Sequence, residues 1–158
     1  MNLIHTLPNW LLIAGIVLAP LVWAFIGRSV FAAKAESWRL VNKVVFAIWL
    51  VLVIYGGLLC RLDMDLTGLS SGIAPFSNLD WNALDEICLN ILMFEPIGMT
   101  LTALLKPSKA RIPRLATVVL FGMALSLTIE LLQHIFVLGA FQTDDIIWNT
   151  IGCLLGCI

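Results

Sequence analysis

Leu115-Ala-Thr-Val-Val-Leu-Phe-Gly-Met-Ala-Leu-Ser-Leu-Thr-Ile-Glu130-Leu-Leu-Gln-His-Ile-Phe-Val-Leu138 is the stretch whose reading decides the fold. A bilayer core about 30 Å thick is crossed by about 20 apolar residues in a helix rising 1.5 Å each. The stretch is long enough and carries one carboxylate. In lipid the backbone must satisfy its own hydrogen bonds, so helix is the expected state. Outward from it lie three more apolar segments of spanning length, Trp10–Ile26, Val44–Cys60 and Ile87–Leu105, and a shorter one, Ile146–Ile158. The short one spans only if it begins near Asp144 and the bilayer or its neighbours adapt. The expectation is an all-α membrane protein: one domain over residues 1–158, a bundle of about five transmembrane helices. Composition agrees. Of 158 residues, 61% are apolar and 12% charged, against about 25% charged in an ordinary soluble domain. A soluble domain this small needs a polar skin that this chain cannot supply.

The charges are sorted by position. Arg28, Lys34, Arg39 and Lys43 separate the first two segments, and Lys106, Lys109, Arg111 and Arg114 separate the third from the fourth. Arg61 is the one remaining basic residue. Alternate loops therefore carry the positive charge, which predicts those loops in the cytoplasm, the N-terminus outside and the C-terminus cytoplasmic. The long connection from Arg61 to Glu86 is then extracytoplasmic. It is rich in Asp, Gly and Ser (Asp63, Asp65, Gly68, Ser70, Ser71, Gly72, Asp80), and Asn82 with Asp85 resembles a helix start. No basic stripe with interleaved aromatics exists, which argues against nucleic-acid binding. The first segment is longer than a signal-peptide apolar region and no Lys or Arg precedes it, so it reads as a retained span. Cys153 and Cys157 read as reduced core residues. Cys60 and Cys88 flank one loop and are in a position to pair if that loop is extracytoplasmic.

Polar residues inside the segments are costly, roughly 2.5–3.5 kcal/mol for a charge at mid-bilayer. In the third segment, Asn90 precedes Glu95, Pro96 and Gly98; Pro96 frees the Leu92 carbonyl and predicts a kink. In the fourth, Ser126, Glu130 and Gln133 share a helix face, with His134 at its edge. Ser126 also fits close helix packing, and His134 an interfacial position. No cation is evident at the depth of Glu130. In the last segment, Asp145, Asn149 and Gly152 share a face. Asp144 or Asp145 suits a helix start, and Gly152 with Gly156 suits close helix approach. The predicted topology places Asn90, Glu95, Glu130, Gln133, Asp145 and Asn149 in the outer half of the bilayer, where one polar cluster is the economical arrangement.

Asn90-x-x-x-Phe94-x-Pro96-x-Gly98, then Ser126-x-x-x-Glu130-x-x-Gln133, then Asp145-x-x-x-Asn149-x-x-Gly152, with Pro75-Phe76 ahead of them, resemble the VanZ-like family over residues 73–156. The resemblance implies a bacterial cell-membrane protein with several spans; the name-giving member is associated with resistance to teicoplanin, a lipoglycopeptide. Two departures stand out. Many members carry an arginine before the aspartates, where Leu138-Gly139-Ala140-Phe141 has none, and many have an apolar residue at the position of Glu95.

The leading functional expectation is a cell-envelope factor that lowers sensitivity to lipoglycopeptides through an outward-facing polar intramembrane cavity. Its partners would be membrane lipids and either the antibiotic's acyl tail or a lipid-linked wall precursor. The alternative is a membrane-embedded hydrolase or transferase acting on a lipid or lipid-linked wall intermediate, with Glu130 and Asp145 as acid and base or as ligands of a hard cation. A proton-coupled transporter is a third reading, weakened by the lack of an internal repeat. No catalytic residue, metal or cofactor is specified by the sequence.

Overall fold

Apolar runs dictate five helices, and the computed structural model of the chain supplies them. It describes residues 8–62, 76, 84–105 and 111–157. The helices are α1 (Asn9–Ser29), α2 (Ala35–Gly57), α3 (Leu84–Leu104), α4 (Arg111–Ile135) and α5 (Thr143–Leu155), with a short 3-10 turn over Leu59–Arg61 after α2. The described residues contain no strand. Most of the Arg61–Glu86 connection, including Pro75 and the expected helix start at Asn82, lies outside the described residues, as do Lys106 and Lys109.

Among the described residues four helices, not five, are long and apolar enough to cross a membrane. The fifth has 13 residues, about 20 Å at 1.5 Å per residue, short of the bilayer core. The described boundaries also extend beyond the apolar runs. α2 begins at Ala35 and α4 at Arg111, because a helix continues past the hydrocarbon with charged residues on it. Pro113 stands in the first turn of α4, where its missing N–H costs nothing.

α3 is the hub and touches each of the other four helices. Its residues Phe94 and Ile97 form a core with Val53 of α2, Val118 and Ile129 of α4, and Cys153 of α5. α1 and α2 turn large apolar side chains outward, among them Leu21, Phe25, Leu40 and Val51, each more than half exposed. In water this surface would be an aggregation hazard; against lipid it is the expected one.

Glycines set the α3–α5 distance. A Cβ at Gly152 would collide with the Ile91 carbonyl, one at Gly156 with the Glu95 carbonyl, and one at Gly98 with the Cys153 carbonyl. Ile91 meets Gly152 and Glu95 meets Gly156, so α3 and α5 run parallel. The chain thus alternates between two faces. One, the basic face, holds the ends of α1 and α3 and the starts of α2 and α4. The other, the acidic face, holds the starts of α3 and α5 and the ends of α2 and α4.

α3 continues through Pro96 without interruption. Neighbouring helices and a hydroxyl of α3 itself serve its carbonyls. The indole Nε1 of Trp49 donates to the Met93 carbonyl at 2.7 Å, the Cys153 thiol to that of Phe94 at 3.5 Å, and the Thr100 hydroxyl to that of Pro96 at 2.6 Å. The four cysteines are free thiols, so Cys60 and Cys88 do not pair.

Candidate functional site

The site is built at the acidic face from the end of α4. Val137 adopts a left-handed conformation (φ 56°), and the Leu138 N–H returns to the Gln133 carbonyl at 2.7 Å. This is a Schellman-type stop, normally a glycine position, and a β-branched residue there costs on the order of 1 kcal/mol. The stop folds the chain back over its own helix. Gln142, just before α5, then donates its backbone N–H to Glu130 Oε2 at 2.9 Å.

α5 starts immediately afterward and presents Asp145 to the same place. Glu130 and Asp145 lie within hydrogen-bonding reach of each other. Asn90 of α3 donates its amide to Asp145 Oδ1 at 2.7 Å. Asp144 points elsewhere: its Oδ1 accepts the Phe76 N–H at 2.8 Å, and the Phe76 ring meets Trp148 edge-on with centroids 6.1 Å apart.

The expectation that no cation reaches Glu130 is overturned. Arg61, from the turn after α2, lies directly over Gly139: a Cβ on that glycine would sit 2.8 Å from its Nη1. Its charge acts on both Glu130 and Asp145. The signal was present in the sequence, since Arg61 alone breaks the alternation of basic loops. A guanidinium beside two buried carboxyl groups offsets part of their charge, and buried acids need such a counter-charge.

One turn deeper, Asn149 of α5 donates to the hydroxyl of Ser126 on α4 at 2.9 Å, both buried. Gln133 goes another way, donating its amide to the Gly57 carbonyl at the end of α2 at 2.6 Å. His134 is exposed and stacks edge-on with Phe141, centroids 6.5 Å apart. Glu95 stands apart: it is fully buried, and neither carboxyl oxygen has a hydrogen-bond partner among the described residues. Asn90, Glu130 and Asp145 are thus brought together, Ser126 and Asn149 form a second pair beneath them, and Gln133, Asp144 and Glu95 serve or face other places. Asn42, fully buried between the Trp23 indole and the Trp38 carbonyl, is a polar residue that sequence patterning passes over. Among the described residues no three His, Cys, Asp or Glu side chains converge as a metal site would require.

The fold and the site define a class, a helical membrane protein with an acidic pair held beside an arginine inside the bundle. The chain belongs to the VanZ/LLP1 family, whose match covers residues 1–158. It is similar to protein VanZ of Enterococcus faecium, 38% identical over 71 residues, a stretch covering 45% of this chain and 41% of that relative. The matched stretch is thus less than half the length of the relative. No solved structure matches.

Proposed function

We propose that the protein is a multi-pass factor of the bacterial cell membrane that lowers sensitivity to lipoglycopeptides such as teicoplanin. In this reading the acidic face is extracytoplasmic, and its polar groups line an outward-opening intramembrane cavity for a lipid-tailed drug or a lipid-linked wall precursor. The observation that carries the reading is the convergence of Asn90, Glu130, Asp145 and Arg61 from three helices and a turn, at the face opposite the basic loops. Membership of the VanZ/LLP1 family supports the drug class. A tail partitions with about 0.8 kcal/mol per buried CH₂, so a lipid-tailed drug is held at the membrane surface, whereas an untailed one is not.

Expression in a susceptible Gram-positive host is expected to raise the inhibitory concentration of teicoplanin more than that of vancomycin. Glu130→Gln and Asp145→Asn keep the shape and remove the charge, and each is expected to abolish that protection while the protein still accumulates in the membrane. Equal protection against both drugs rejects the tail-directed reading. Full protection by both variants demotes the acids to packing.

The close carboxyl pair also favours a second reading, a membrane-embedded hydrolase or transferase in which Glu130 and Asp145 exchange a proton with a lipid-linked substrate. Product formation from a labelled lipid-linked wall precursor by purified protein, lost in Glu130→Gln, distinguishes it from binding alone.

A further inference from the structure

At the basic face, far from the acidic pair, a cavity of about 320 Å³ opens between α1, α3 and the residues that follow α5. Arg28 in the last turn of α1 and Arg114 in the first turn of α4 both line it, although they come from helices far apart in the sequence. Two guanidinium groups facing one small space repel each other unless an anion lies between them. Arg114 is anchored by one Nη group to the Thr102 carbonyl near the end of α3. Its Nε is buried and has no hydrogen-bond partner among the described residues. A buried donor of this kind needs an acceptor, and a charged donor gains most from an anionic oxygen.

Beside the arginines, Thr102 and Cys157 add a hydroxyl and a thiol to the wall, and the rest of it is apolar or aromatic. Trp23 and Trp38 stand against each other with ring centroids 5.0 Å apart, and Asn42 holds the Trp23 Nε1 at 3.3 Å. Paired tryptophans at the end of a span sit at headgroup depth, with an apolar body toward the chains. Met99, Ala24 and Pro20 line the apolar part, with Gly156 beside them. The cavity therefore joins two chemistries, a cationic mouth and an apolar interior beside lipid.

We propose that this cavity binds the phosphate of an anionic amphiphile from the leaflet at the basic face, with Arg28 and Arg114 on the phosphate and the hydrocarbon chain beside Met99 and Ala24. The same guanidinium pair would also suit free phosphate, and the apolar interior favours the lipid. This inference is independent of the acidic site.

Native mass spectrometry of the purified full-length protein, released from detergent with phosphatidylglycerol or with phosphatidylcholine, tests it. Phosphatidylglycerol is expected to stay bound while phosphatidylcholine, whose choline offsets the phosphate charge, is lost. Arg28→Gln and Arg114→Gln should each weaken phosphatidylglycerol binding about tenfold, the worth of one charge-assisted hydrogen bond. Arg28 is exposed, so its replacement leaves folding intact, which an unchanged elution profile verifies. Ala24→Leu keeps both charges, narrows the apolar part and should also weaken retention. Displacement of the lipid by inorganic phosphate would overturn the lipid assignment in favour of the free ion. Equal retention of both lipids, or unchanged binding in both arginine variants, would overturn the site.

Discussion

Glu95 and Glu130 are both buried acids on neighbouring helices, and their surroundings differ completely. Glu130 has a backbone donor, a carboxyl neighbour and a guanidinium within range. Glu95 has no partner for either oxygen among the described residues. An unsatisfied buried polar group costs about 1–3 kcal/mol, and an apolar group of similar volume removes that cost. Glu95→Met is therefore expected to raise the midpoint of thermal unfolding in detergent. A lower midpoint would show that Glu95 has a partner that an apolar chain cannot replace. The positions of both acids were legible in the sequence, since a carboxylate within an apolar run is conspicuous. Their different company was not, because it depends on the left-handed stop at Val137 and on the turn that carries Arg61, neither of which has a periodic signature.

At the scale of the element, the glycines of α3 and α5 are not equivalent to that near the end of α2. Gly98 and Gly152 each lie with the opposing backbone where a side chain would go, whereas a Cβ on Gly56 meets nothing within 4 Å. Overpacking typically costs about 1–3 kcal/mol, so Gly98→Ala and Gly152→Ala should each lower the unfolding midpoint clearly. Gly56→Ala should leave it unchanged or raise it slightly, since alanine favours helix by up to about 1 kcal/mol. Equal effects at all three positions would contradict the parallel α3–α5 contact. The Gly152–Gly156 spacing made a close helix approach legible, but not its partner; only the packed bundle identifies α3 and adds Gly98 from the other side. The starts of α2 and α4 lie ahead of the apolar runs for a single reason. An apolar run marks where lipid begins, and a helix need not stop there.

At the scale of the molecule, the alternation of charge predicts which face is outside. In a background lacking the native cysteines, single cysteines at Ser70 and Thr143 are expected to react with a membrane-impermeant reagent added to intact cells, and one at Ser108 is not. Labelling at Ser108 would invert the orientation and turn the acidic face to the cytoplasm. The two-faced arrangement was legible because eight of the nine basic residues fall in alternate connections. The number of full spans was not, because Ile146–Ile158 has the composition of a span without its length.

The role of α3 as hub has a consequence for biogenesis. The helices leave the ribosome in order, and α1 and α2 meet α3 far more extensively than they meet each other. They therefore enter the bilayer as loosely associated segments until α3 follows. Even then Asn90 and Ser126 lack Asp145 and Asn149, which arrive with α5. Until that point the polar side chains are in the membrane without the hydrogen bonds that make them affordable there. The acids and amides of α3 and α4 are therefore expected to be most exposed to lipid in the interval before α5 packs against α3, which is when an insertase or a quality-control protease would find the most polar surface.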